Sequence, residues 1–357
     1  MRRLFLITWL IVAPTFVCAQ DIPKYASTEQ VKTSFKKLLD RPKIPFNVKN
    51  STAKGSNDGQ TEVFLAFASE KKADGTIERV PTYIKIPANA KGKLPAVIVL
   101  HGTGGSYNAA TVQSFINDLA KRNIIGIAID ARYHGERAKG AKGSGAYNEA
   151  ILKAWKAKPG EPMEHPFYYD TVWDLWRLVD YLETRDDIDT KRLGMIGFSM
   201  GGIQTYLAAS VDERIKVAVP AIGVQSFRWS LENDQWQGRA NTIKLVHTEA
   251  AKELGEKAIN QKVCREVWTK IVPGILDDYD CPSMLRLFAG RPLLILSGTK
   301  DGNCPYGGAK IAIASAERAF KDANASDKLG VMVEEVGHTV TASQRAAALD
   351  WFEKWLK

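Results

Sequence analysis

What constrains this chain most is a series of short, mainly apolar runs set between longer segments of helical periodicity. Ala96–Leu100, Ile124–Ile129, Arg192–Gly197, Lys216–Pro220, Pro292–Leu296 and Gly330–Val336 are such runs. A strand with one wet face alternates polar and apolar residues, whereas a strand covered on both faces does not. Ala109–Arg122, Phe167–Thr184, Met200–Ser210, Lys310–Lys321 and Thr341–Leu356 repeat their apolar residues at helical spacing. Strands alternating with helices predict an α/β architecture, a mainly parallel sheet flanked by helices. Before them, Glu62–Ala68 and Val80–Ile86 flank Asp74-Gly75 and predict a hairpin, hence an antiparallel N-terminal edge. Residues 131–165, rich in Gly, Lys and Pro, read as irregular. Residues 222–290 exceed a simple crossover and read as a mostly helical, cap-like insertion ahead of the strand Pro292–Leu296.

The first residues follow another rule. Arg2 and Arg3 precede the apolar stretch Leu4–Val12, and the segment ends Val17-Cys18-Ala19. This is the pattern of a secretory signal peptide over residues 1–19, with cleavage after Ala19 and a secreted or periplasmic destination. The bulky Val17 argues against a lipid on Cys18. No later segment is apolar for long enough to span a bilayer, so no stable membrane insertion is expected once the signal is removed. Residues 20–60 read as a leader with one helix near Thr28–Leu39 and then a polar loop, and residues 61–357 as the α/β domain with the insertion 222–290. The formal charge of +9 invites a nucleic-acid partner. The Lys and Arg residues are dispersed, however, and no nucleic-acid motif accompanies them, so none is expected. Cys264, Cys281 and Cys304 would remain after cleavage. An oxidising compartment permits one disulfide among them, the sequence does not choose the pair, and none has the spacing of a metal site.

Within this frame, Gly197-Phe198-Ser199-Met200-Gly201 lies between an apolar strand and a helix. A sharp strand-to-helix turn strains its central residue and crowds the positions two away on either side, where glycine fits. Ser199 is the candidate nucleophile. His101-Gly102-Thr103-Gly104-Gly105 follows the strand Ala96–Leu100 and is the candidate for half of an oxyanion hole. The donors there would be the backbone N–H groups of Thr103 and Met200. A serine hydroxyl needs a base. Of five histidines, His338 follows a predicted strand that comes after the serine, at the carboxyl edge where open α/β sheets place their chemistry. Asp301 follows the strand Pro292–Leu296 in the same way and is the candidate acid. The catalytic candidates are therefore Ser199, Asp301 and His338. Arg132, His134, Trp229 and Trp236 are candidate substrate-lining residues; the alternatives are a loop pinned by structural hydrogen bonds of Asp130 and Arg132, and insertion tryptophans that form the core of the cap.

These positions, with His101-Gly102-Thr103, resemble the α/β-hydrolase superfamily from about Glu62 to Lys357. Asp130-Ala131-Arg132-Tyr133-His134-Gly135-Glu136-Arg137 resembles the loop after the fourth strand in acetyl xylan esterase-like and dienelactone hydrolase-like members. The stretch from Asp189 to Gly202 also resembles prolyl-oligopeptidase-type peptidases, although the chain is too short to hold a propeller as well. Dienelactone hydrolase proper carries cysteine where Ser199 stands. The resemblance implies an α/β-hydrolase fold and an ester or amide hydrolase with no cofactor and no metal. Its substrate would be a small ester or an acylated carbohydrate. A peptidase of short peptides and a non-catalytic binding member of the fold are the alternatives, and oligomeric state is left open.

Overall fold

The computed structural model describes residues 22–55, 59–88 and 90–357. The expected signal peptide and Cys18 lie outside the described residues. Helix α1 (Thr28–Leu39) opens on Ser27, whose hydroxyl accepts from Gln30 N–H while the Gln30 side chain reaches back to Ser27 N–H, a capping box. Strand β1 (Lys49–Gly55) pairs antiparallel with β2 (Thr61–Lys71), which pairs with β3 (Ile77–Ile86) as the expected hairpin. Where the sequence reads as a polar loop, β1 is therefore a strand. All seven of its residues are exposed, so backbone pairing alone holds it to the edge of the sheet.

Then come β4 (Leu94–Leu100), α2 (Ala110–Lys121) and β5 (Ile125–Ile129). Residues 131–165 are less irregular than predicted, because α3 (Gly145–Lys156) lies within them and buries Tyr147, Ile151, Ala154 and Trp155. Helix α4 (Tyr169–Leu182) leads to β6 (Ile188–Phe198), α5 (Met200–Val211) and β7 (Ile215–Ala221). Residues 222–290 are helical as expected. They hold α6 (Phe227–Glu232), α7 (Gln237–Thr242), α8 (Lys244–Glu253), α9 (Gln261–Ile271) and α10 (Cys281–Arg286). The chain closes with β8 (Leu293–Gly298), α11 (Tyr306–Asp322), β9 (Leu329–Glu334) and α12 (Ala342–Leu356).

The described strands form one sheet in the order β1-β2-β3-β5-β4-β6-β7-β8-β9. Strands β4 to β9 run parallel and the first three antiparallel. Period-two alternation divides the core. Val97 and Val99 of β4 pack with Phe115 of α2 and Phe352 of α12, while Ala96 and Ile98 face the side holding α1, α4 and α5. Glycines let the layers close: a Cβ on Gly194 would lie 2.7 Å from the Phe352 ring. Cys264, Cys281 and Cys304 are buried free thiols, so the disulfide the compartment would permit is not formed. No described helix is long and apolar enough to cross a membrane.

Candidate active site

The turn after β6 carries Ser199 with φ 56° and ψ −112°, a backbone shape that costs energy for any residue but glycine. Close packing enforces it. A Cβ at Gly197 would sit 2.1 Å from the Gly201 carbonyl oxygen, and one at Gly201 would sit 2.7 Å from the Leu100 carbonyl oxygen. Ser199 N–H donates to the Ala221 carbonyl of β7 at 3.0 Å, locking the turn to the neighbouring strand. The serine oxygen thus stands at the start of α5, where the helix dipole favours negative charge.

Asp301 follows β8 and His338 follows β9, both at carboxyl ends. Thr299 N–H donates to Glu334 O (2.8 Å) and Lys300 N–H to Val336 O (3.0 Å), which holds the two loops in register. Asp301 Oδ1 accepts the N–H groups of Asn303 (2.8 Å) and Cys304 (2.9 Å). That leaves Oδ2 for His338 Nδ1–H at 2.7 Å, and His338 Nε2 accepts the Ser199 hydroxyl at 2.7 Å. The Asp301 side chain is 1% exposed and that of His338 24%. The carboxylate is sealed while the imidazole edge remains open, as a base that exchanges protons with a substrate requires.

The loop after β4 lies against this turn: a Cβ on Gly102 would be 3.6 Å from Ser199 Cβ. His101 braces the loop from inside. Its Nε2 accepts Ala131 N–H at 3.1 Å, so the proton sits on Nδ1, which donates to the Gly102 carbonyl at 2.8 Å. Gly105 N–H donates to the same oxygen. That carbonyl shares its planar peptide unit with Thr103 N–H, so pinning one end aims the other. Burial, helped by nearby His134, pulls His101 down to about 3, so it remains a neutral brace at ordinary pH.

The dienelactone hydrolase family profile matches residues 80–272, more than half of the chain. The chain belongs to the dienelactone hydrolase family. It is similar to YtaP, named as a hydrolase, from Bacillus subtilis (strain 168), at 26% identity over 290 residues, 78% of this chain and 84% of the relative. Its fold is similar to that of acetyl xylan esterase 1 from Thermoanaerobacterium sp. JW/SL YS485, with TM-score 0.65, 15% identity and coverage of 94% and 95% of the two chains. The acetyl xylan esterase of Paenibacillus sp. R4 is alike at TM-score 0.65 and 18% identity, covering 94% and 97%. This chain is thus a member of a hydrolase family, built on an α/β-hydrolase fold.

In this family member the other sequence candidates separate. Arg132 is 1% exposed and does not line the site. It forms a two-pronged pair with Asp174 (2.6 and 2.9 Å) and reaches Glu70 (2.7 Å). Arg137 joins the same Asp174 (2.8 Å) and Glu78 (2.7 Å). The two guanidiniums overcome burial and hold the Asp174 carboxyl well below the usual range, and Glu78 falls to about 2. This is a buried ionic knot joining the hairpin, the loop after β5 and α4. Arg132→Ala is expected to cost about 3–5 kcal/mol, the scale for stranding buried charges. Urea denaturation reads it, and a loss within about 1 kcal/mol would show the knot to be solvent-screened.

His134 does not line the site either. It is fully buried, its Nδ1 donates to the Arg132 carbonyl at 2.8 Å, and its ring packs 4.6 Å from that of Tyr147. Burial lowers it to about 4. Trp229 is half-buried across the start of α11, so close that a Cβ on Gly307 would lie 2.0 Å from its ring. Trp236 is half-buried, with its indole N–H on Asp234 at 2.8 Å. Trp268 is core, edge-on to Phe227. The sequence reading missed the brace at His101 and the two N–H groups that hold Asp301. A His-Gly pair closing a buried strand and an Asp-x-Asn-Cys turn carry faint traces of both.

Proposed function

We propose that this family member is a secreted serine esterase that cleaves small carboxylic esters through an acyl-enzyme, with acylated carbohydrates as the natural substrate class. The observation that carries the reading is the unbroken relay from Asp301 through His338 to the Ser199 hydroxyl, centred on a strained turn. His338 Nε2 takes the hydroxyl proton as Ser199 Oγ bonds to the substrate carbonyl carbon. Asp301 holds the imidazole in the acceptor tautomer and stabilises the imidazolium that forms. The N–H groups of Met200 and Thr103 receive the oxyanion. Collapse expels the alcohol, which takes its proton from His338 Nε2, and water then repeats the sequence to release the acid.

The similar acetyl xylan esterase folds support an acetyl group on a sugar as the preferred ester, and the signal pattern at residues 1–19 supports work outside the cytoplasm. Trp229, half-buried against Gly307 at the start of α11, is the aromatic side chain this reading assigns to a sugar or aryl ring. The test is a panel of acetylated and feruloylated sugars, aryl esters of several acyl lengths and peptide amides, run with the protein and its Ser199→Ala variant. Turnover of acetyl esters that the variant lacks is expected. Cleavage confined to peptide amides would replace the reading with a peptidase.

A further inference from the structure

Arg239, on α7 of the insertion, is 1% exposed, and no carboxylate stands within ion-pair distance of it among the described residues. A buried guanidinium without an anion is expensive to keep, so its surroundings should show what it serves. Its Nη2 donates to the Asn303 carbonyl (3.1 Å) and to Cys304 Sγ (3.2 Å), and its Nη1 to the Tyr168 hydroxyl (3.4 Å). The needs of their neighbours orient the Gln225 amide so that its oxygen accepts from Arg239 Nε (3.2 Å) and its nitrogen donates to Asn303 O (3.3 Å). Asn303 and Cys304 are the residues whose N–H groups hold Asp301 Oδ1.

The helix itself rests on this turn, since a Cβ at Gly238 would lie 2.0 Å from the Gly302 carbonyl. Tyr168 is held at φ 80°, directly after a tight turn closed by its N–H on the Pro166 carbonyl (2.8 Å), and the surrounding packing must enforce that left-handed backbone. The titratable groups facing the guanidinium are Tyr168 at the start of α4, Tyr147 on α3, Tyr206 on α5, and Cys304 and Asp301 of the turn. Burial keeps the tyrosines protonated and pushes the Cys304 thiol up to about 12, so Asp301 is the carboxylate in the set. His338 meets Asp301 and Ser199, and the nearby Lys300 and Glu335 are exposed and pair with each other.

We propose that Arg239 is a positioning residue for the Asp301–His338 pair. Reaching in from the insertion, it fixes the turn that bears the carboxylate and supplies a buried positive charge near it. The proposal rests on the esterase reading, and it makes the insertion part of the catalytic scaffold.

The experiment follows kcat and KM for an acetyl ester, and the rate of fluorophosphonate labelling at Ser199, across the pH range in which an imidazole titrates. Wild type, Arg239→Lys, Arg239→Met and Tyr168→Phe are compared, with folding checked by circular dichroism. Removing a fixed cation makes protonation of the imidazole easier. In Arg239→Met the acid limb of both profiles should therefore move to higher pH by roughly half to one pH unit. kcat should fall about tenfold or more while KM changes little, as expected for a displaced catalytic group. Arg239→Lys should hold the limb in place and recover most of kcat, and Tyr168→Phe should leave the limb unmoved. An unmoved limb in Arg239→Met, or a Lys variant as impaired as Met, would overturn the proposal and leave Arg239 as packing for α7. Should Arg239→Met not fold, Arg239→Lys decides: a folded, inactive Lys variant overturns it. Failure of wild type to label at Ser199 would instead sink the esterase reading.

Discussion

Ser199→Ala is expected to lower kcat on an acetyl ester by about a million-fold, the scale seen when a triad nucleophile is deleted. The size follows from the arrangement. In the proposed mechanism Oγ is the atom that receives the acyl group, and without it the donors could only polarise a carbonyl for attack by free water. The residue is also the one at φ 56° between glycines that admit no side chain, so alanine inherits the same backbone strain and the fold should be little changed. Melting temperatures of the two proteins should therefore agree closely while turnover collapses. Activity within tenfold of wild type would place the nucleophile elsewhere.

His338→Ala is expected to cause a loss of the same order, because base and nucleophile act as a unit. For that reason the double variant Ser199→Ala/His338→Ala should be hardly worse than either single change. His134→Ala makes the contrast. That imidazole is buried, lowered to about 4 and committed to a backbone carbonyl. Its loss opens a cavity beside Tyr147 and His101 and should reduce stability while leaving measurable turnover. Steady-state kinetics with matched denaturation curves separate the two histidines. If His134→Ala abolishes turnover in a folded protein and His338→Ala does not, the base has been misassigned.

Much of the architecture was legible because the strands of the parallel region are mainly apolar, β4, β5 and β8 on both faces, and the helices that flank them carry stripes of core residues. Those patterns are local and survive without the rest of the chain. Strand β1 left no such mark, since all its side chains are in water and its register comes from hydrogen bonds to β2. Helix α3 did carry a helical pattern, in Tyr147, Ile151, Ala154 and Trp155, but the glycines and lysines around it masked the period. Arg132 looked like a site residue because it follows a strand's carboxyl end beside His134. Its partners, Glu70 and Asp174, come from the hairpin and from α4, which no local pattern connects to it.

By itself, then, the sequence determined the layered sheet, the strained turn at Ser199 and the order in which serine, aspartate and histidine leave their strands. Tertiary structure alone decided that His338, 139 residues from Ser199, meets it at 2.7 Å, that Arg132 is sealed in an ionic knot, and that Arg239 lies behind the acid turn. The division has a physical basis. Periodicity and turn chemistry depend on neighbours within a few residues, whereas a hydrogen bond between distant side chains depends on where the whole sheet brings their strands to an end.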